Sequence, residues 1–570
     1  MKRKLMFLLL MLLSLLLVFA ACSSNEDSAA KPKNENNEKN KDENDSNAND
    51  EVELDNTPIT YHMFNAGTSI RDIDTNETRI GKIFEEQTGV NFRIEHLVGD
   101  IKQKVGVMVA SGDYPDVIVP DGEIDVFLDA KALIPLNDLL NKYGQNLLEA
   151  YGDYLHMFTQ PDGNIYYIPF GPTINEFKPA PNIDQGAFWI QRGILKEAGY
   201  PIVNTIDEYM DLIVNYAKEN PQIDGMNTIP FTGLTYDWRF FAFSNIPNHL
   251  AGYPNDGGVQ IDMETHEATV YADSDYAKDW LKMLNDLNTE GLLDQEMFIN
   301  NYDEYLAKLS SGRVLGFFDY GWQFGQARTA LREAGNPDRE YMALPIVFEG
   351  VDKDQYLDPP AFTSNRGIGI SVNAESPERI VQYWDNMIKE ENQKLIMWGF
   401  EGEHYEVGDD GRFFRTDEQI ELTRTDAERE ATGMRYFEWY WPRLNGTFSD
   451  GNAVEPARQP AVALASYTDG DREYLDAYGI STFSELFAQP DERPWYPAWS
   501  ANIEQGSGPQ IFEERSDEII RRHYARIVLA EPGNFDKEWN DFVSAYRALD
   551  VDGYEEFFTE VIQNRVKGEW

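Results

Sequence analysis

Cysteine is nearly absent: among 570 residues there is one, Cys22. A single thiol cannot close an intramolecular disulfide, and zinc sites built from several cysteines are excluded. Positive charge is scarce too. Lys and Arg number 49 against 99 Asp and Glu, which leaves a net charge of −50. A nucleic-acid surface needs clustered Lys and Arg, so nucleic acid is excluded as a partner. Broad electrostatic adhesion to anionic membranes is excluded on the same ground. The seven histidines include no HExxH pair, and Walker A, GxGxxG and GxSxG patterns are missing. The acid excess reads as a hydrated outer surface.

What the chain does have is packing material. Hydrophobic residues make up 42% and aromatic residues 13%. The length implies more than one domain or lobe. The first residues stand apart. Lys2, Arg3 and Lys4 lead into Leu5 to Ala21, apolar except for Ser14, and small Ala20 and Ala21 precede Cys22. Basic, then apolar, then small is the layout of a secretory signal peptide. The apolar run is short for a membrane span, which takes about 20 residues. Ala-Ala-Cys resembles a bacterial lipobox, in which the cysteine sulfur is lipidated and becomes the new N-terminus. Phe19 stands where that signal usually has Leu. Residues 23–57 contain no aromatic and are dominated by Asn, Glu, Lys, Asp and Ser. Such a segment cannot bury enough surface to offset its ordering entropy and reads as a tether.

Beyond the tether, strands and helices alternate. "ITYHMFNAG" predicts a strand, and "RIGKIFEEQTGV" a helix with Ile80, Ile83 and Phe84 on one face and Gly89 as its stop. "VNFRIEHL" alternates as a strand, "IKQKVGVMVASG" reads as a helix ended by Gly112, and Val117 to Val119 as a short strand. This order predicts a parallel, helix-covered sheet for the first lobe. A second α/β section begins at "AFWIQRGILKEAGYP". A capping box, Thr205 with Glu208, opens the helix after it. "RVLGFFDYGW" is a buried strand with a turn behind it, and "GIGISV" another strand. The tail predicts two helices split near Gly553.

These stretches carry a resemblance. "FEEQTGV", "ASGDYPDVI", "ALIPLNDLL", "DGNIYYIPF", "ILKEAGYP…TIDEY", "TEGLLDQEMF", "WGFEGEHYEV" and "DKEWNDFVSAYRALDVDGYEEF" run in order from about residue 60 to the C-terminus. The chain resembles the extracellular solute-binding proteins of sugar-importing ABC transporters, in particular the large bacillus-type lipoproteins that handle oligosaccharides. The resemblance implies an α/β, two-lobe, periplasmic-binding-protein-like fold with a hinge and an interlobe ligand cleft. It implies a signal peptide over 1–21 and a lipidated Cys22 with its tether over 22–57. The first lobe then spans 58–169, the second 170–366, a return to the first 367–400, and the rest of the second 401–570. It also implies a monomer on the outer face of the cell membrane, held by lipid alone. Its partners are an oligosaccharide and the permease subunits, with no cofactor and no catalysis.

Sugars present apolar C–H faces ringed by hydroxyls, so binding needs aromatic platforms and short polar groups. The candidate platforms are Tyr236 and Trp238 in "TYDWRFF", Trp322 after "FFDYG", Trp439 and Trp441 in "FEWYWPR", and Trp495 in "PWYPAW". Core packing is the competing role for each. The polar candidates are Asn65, Asp116, Asp121, Asp237, Asp319 and Arg366, most of them at strand ends, where open α/β sheets bind ligands. Asp116 has a structural alternative, capping a Pro-Asp turn. Arg366 is compatible with a uronate carboxylate. Two calcium patterns are set aside. In "DVDGYEEFFTE" Gly553 follows the second Asp directly, which breaks the EF-hand spacing. "NPQIDGMNTIPFTG" keeps Asp224 and Asn227 but lacks the carboxylate ladder that some relatives carry there. A peptide ligand in the same fold, a surface-anchored polysaccharide-active enzyme and an interaction protein remain as alternatives.

Overall fold

The computed structural model describes residues 55–67, 70–169 and 171–570. The signal peptide, Cys22 and the tether up to residue 54 lie outside the described residues. The chain lays down β1 (Ile59–Asn65), β2 (Ile73–Asp74), β3 (Val90–His96), β4 (Val117–Val119) and β5 (Tyr167–Ile168) before it leaves the first sheet. It builds the second sheet from β6 (Gly186–Gln191), β7 (Ile229–Thr232), β8 (Val314–Tyr320) and β9 (Tyr341–Leu344). It then returns to the first with β10 (Ile368–Ile370). The strand orders are β2-β3-β1-β4-β10-β5 and β7-β8-β6-β9. Among the described residues, no helix is long and apolar enough to cross a membrane.

Local chemistry sets most element ends. The Thr78 hydroxyl accepts from Gly81 N–H at 3.0 Å and opens the helix Arg79–Thr88, and Gly89 closes it at φ 71°. A left-handed residue there costs glycine nothing. The Thr205–Glu208 capping box forms as the sequence predicts and starts the helix Ile206–Glu219. Strand β8 is buried along its whole length, as expected of a central strand covered on both faces.

Two expectations need correction. The first sheet is mixed, not parallel: β1 runs parallel to β3 and β4, while β2 and the returning β10 pair antiparallel. The tail does form two helices split near Gly553, with the break between Tyr546 and Val551. Asp550 accepts from Gly553 N–H at 3.3 Å, so the glycine lies inside the first turn of the helix Val551–Val566. The second correction concerns residues 401–570, which were expected together in the second lobe. One hydrophobic core gathers residues from Tyr61 to Ile168, from Phe362 to Trp398, and on through Trp441 to Val462. The other takes Ile183 to Leu357 and then Tyr467 to Ile562. Residues 401–462 thus pack with the first lobe, and the chain crosses between the cores three times.

Candidate functional site

Strand β8 ends at Tyr320, and Gly321 makes the turn that follows. A Cβ at Gly321 would come within 2.5 Å of the Ile183 carbonyl oxygen, so only glycine fits. Gly321 N–H bonds Gln185 O at 3.2 Å and Trp322 N–H bonds Asp184 O at 3.4 Å. The turn delivers Trp322 to the surface with 51% of its area exposed.

Trp238 arrives from β7, the parallel neighbour of β8. It follows β7 by way of Tyr236 and Asp237, and Asp237 takes a left-handed φ of 44°. Its indole is 58% exposed. The two indole rings lie 5.9 Å apart and within 10° of parallel. Phe241 joins them, 6.1 Å from Trp238 at 3° and 6.4 Å from Trp322 at 12°. Arg239 lies over Trp238 and Tyr302, at 4.6 and 4.1 Å from their centroids, and ion-pairs with Asp237. Trp238, Phe241 and Trp322 are therefore one cluster of three near-parallel rings, rimmed by Arg239 and Asp237; Tyr236 is exposed just before it and joins none of these ring contacts.

A second cluster forms at the strand ends of the first lobe. Asp121, two residues beyond β4, accepts from Tyr440 O–H at 2.7 Å and lies 3.2 Å from Arg366 Nη1. Arg366 also faces Trp499, 5.8 Å from the ring centroid. Burial and the opposing Asp121 act on its guanidinium in opposite senses, and its pKa stands above the ordinary value. Trp439, next to Tyr440 and 5.1 Å under the Arg443 guanidinium, is 42% exposed.

The remaining candidates are held in the protein's own structure. Asn65 is buried at the end of β1, where its Oδ1 accepts from Gly67 N–H at 2.8 Å and shapes the turn. Asp116 Oδ2 accepts from His62 N–H at 2.8 Å, a structural role, but a tie to distant β1 and not the cap of its own Pro-Asp turn. Asp319 is fully buried inside β8. It accepts from Tyr305 O–H at 2.7 Å, Tyr320 N–H at 2.8 Å and Gln323 Nε2 at 2.7 Å. Burial nonetheless pushes its carboxyl up to about 7. Trp441 is a core residue: its indole donates to Tyr436 O at 3.0 Å and its ring meets Phe92 edge-on at 5.2 Å. Trp495 is buried in the second core, 5.3 Å from His266. Neither tryptophan faces solvent, so neither offers a platform. Sequence reasoning missed Phe241, Arg239, Tyr302 and Tyr440. Phe241 was findable, because it lies three residues after Trp238, a spacing that aligns side chains on one helical face.

Glu403, His404 and Glu428 bring three ligand-type atoms within 4.8 Å of one another. Phe400 N–H donates to His404 Nδ1 at 3.0 Å, so Nε2 carries the ring proton toward Glu428 Oε1 at 3.1 Å. Arg79 holds both Glu403 oxygens, at 2.6 and 2.7 Å. One of the two carboxylates is thus already taken by a cation of the protein itself. At the other calcium-like stretch, Gln222–Ile223 pairs with Met226–Asn227 across the two-residue turn Asp224-Gly225. That hairpin leaves no loop for a ladder of carboxylates.

Two α/β lobes, joined by three crossings and carrying exposed aromatic and polar clusters at their strand ends, define a binding protein of the periplasmic type. The chain belongs to the bacterial extracellular solute-binding protein family, whose sequence pattern matches residues 79–399. The fructooligosaccharide ABC transporter substrate-binding protein FusA of Streptococcus pneumoniae serotype 4 is 29% identical over 522 residues, 85% of this chain and 86% of that protein. The polygalacturonan/rhamnogalacturonan-binding protein YtcQ of Bacillus subtilis strain 168 is 20% identical over 363 residues, 61% of this chain and 67% of that protein. The solved structure of S. pneumoniae FusA in complex with kestose covers 90% of this chain and 100% of its own, with TM-score 0.66 and 20% identity.

Proposed function

We propose that this protein is a lipid-anchored extracellular receptor that captures an oligosaccharide between its lobes and delivers it to an ABC importer. The near-parallel trio Trp238, Phe241 and Trp322 carries this reading. Exposed, parallel aromatic faces lose free energy in water and match the C–H faces of successive pyranose or furanose rings. The polar rim supplies orientation. The arginines at the two clusters are paired: Arg239 with Asp237, Arg366 with Asp121 and Arg443 with Glu455. The platform therefore offers no uncompensated cation, which favours a neutral sugar over a uronate. FusA, named for fructooligosaccharides, fits that preference better than YtcQ, named for polygalacturonan.

Ligand contacts from both lobes would favour the closed state. Cys22 would hold the receptor beside its permease. Thermal melts against neutral di- to hexasaccharides, kestose included, test the binding half. A ligand at 100 times its Kd stabilises the fold by about 2.7 kcal/mol, and the sugar is recovered unchanged. Silence across the panel rejects the reading. Cys22→Ala releases the protein into the medium; a variant still membrane-bound and fully processed rejects the anchor.

A further inference from the structure

Arg415 is out of keeping with the rest of this acidic chain. It follows Phe414 and precedes Thr416, the cap of the helix Asp417–Arg424. Its guanidinium lies 5.4 Å from the centroid of the buried Trp398 ring. Among the described residues it forms no ion pair or hydrogen bond, and its Nε is sealed from solvent. The charge it does feel is of its own sign. Burial first, and then Arg429, bring its pKa down to about 10, so it is still a cation at neutral pH.

Arg415 lines a cavity of about 180 Å3 with Arg424, Asn182, Thr423 and Ser466 over an apolar floor of Ile420 and Val462. Among the described residues no Asp or Glu lines this cavity, in a protein with 99 of them. Glu421, which lines the neighbouring cavity, is 74% exposed and paired with Arg424 at 2.8 Å. Arg415 supplies an unpaired guanidinium fork, Arg424 the N–H groups that its bond to Glu421 leaves, and Asn182 an amide, a set matched to the oxygens of a tetrahedral or planar anion; the Thr423 and Ser466 hydroxyls donate to the Gln419 and Ala463 carbonyl oxygens and only line the wall. The volume is below the roughly 300 Å3 where drug-sized ligands begin, so it suits a single small group.

We propose that this cavity is an oxyanion site, separate from the aromatic platform, that takes a phosphate- or sulfate-sized group between Arg415 and Arg424. Asn182 lies just before the first residue of the second core, whereas Arg415 and Arg424 belong to the segment packed with the first. An anion there bridges the two lobes. The same chemistry has two sources: a free inorganic oxyanion, or the carboxylate of an acidic sugar whose remainder lies in the adjoining cavity of about 700 Å3.

Thermal melts and calorimetry of the intact chain test the site at constant ionic strength, with chloride as the reference salt. Phosphate or sulfate is expected to raise the melting temperature of the wild type, and Arg415→Gln to weaken that anion at least tenfold. Arg424→Gln and Asn182→Ala, each read against its own chloride baseline, cover the case in which Arg415→Gln folds poorly. Oligogalacturonate binding that is lost in Arg415→Gln, with no response to phosphate, assigns the oxyanion to an acidic sugar. No response beyond chloride to any of the three anions overturns the site, as does a response unchanged in all three variants.

Discussion

Removing Trp322 should separate a platform from a packing residue. Trp322 leaves 51% of its area to solvent. A tryptophan presents roughly 250 Å2 in all, so about 125 Å2 is open. A sugar ring covers one face of the indole, about half of that, or ~60 Å2. At ~25 cal/mol/Å2 the contact is worth ~1.5 kcal/mol, about tenfold in Kd. Because much of the indole is exposed, Trp322→Ala removes little core and should leave the melting temperature of the free protein nearly unchanged. The ring lies 5.9 Å from Trp238, close enough for the two sites to couple, so Trp238→Ala combined with Trp322→Ala should cost a different amount from the sum. Titration calorimetry with kestose, or with whichever neutral oligosaccharide the melts identify, measures both. A Kd within twofold of wild type, with the fold intact, would refute the platform.

Other substitutions probe the scaffold around it. Trp441→Ala empties a buried ring site, which costs about 3–5 kcal/mol of stability; calorimetric unfolding should show the loss, while the folded fraction keeps its ligand affinity. Gly67→Ala puts a Cβ 1.8 Å from Tyr440 Cδ2, so Tyr440 must leave Asp121, and both melting temperature and sugar affinity should fall. Arg192→Ala removes the closest cation of the buried Asp471, 2.6 Å away, but leaves it Arg332 at 3.4 Å and two bonds from Thr468, so a urea titration should show a loss below the roughly 3–5 kcal/mol of a fully unpaired buried charge. Burial holds the Asp319 carboxyl at about 7 against its ordinary 3.8. The folded state then keeps a proton that the unfolded state has released, so stability falls as pH rises from about 4 to 7. Asp319→Asn should flatten that slope in urea titrations across the window, and an unchanged slope would assign the proton elsewhere.

What the sequence made legible was local. Gly89, Thr78 and the Thr205–Glu208 box act on backbone groups a few residues away, so their effects can be read without knowing the fold. Burial is not local. Trp439 and Trp441 stand two residues apart in one aromatic run, yet one is 42% exposed and the other 0%. Composition gives them equal claims. The backbone between them, with Tyr440 at φ 59°, turns one indole outward and the other onto Phe92, a strand far away in sequence. Asp319 and Trp322 repeat the point: both end a buried strand, but Asp319 lies one residue inside its last position and meets three donors, whereas Trp322 lies beyond the Gly321 turn. The largest error, placing residues 401–462 with the second lobe, has the same origin. That segment has no strand in either main sheet, so strand order gives no hint of its partner, and only its tertiary packing against residues such as Phe92 and Trp398 decides. That packing also carries the helix Asp417–Arg424 to the cavity beside Asn182. Misplacing that segment therefore hid the cavity that Arg415 shares with Asn182.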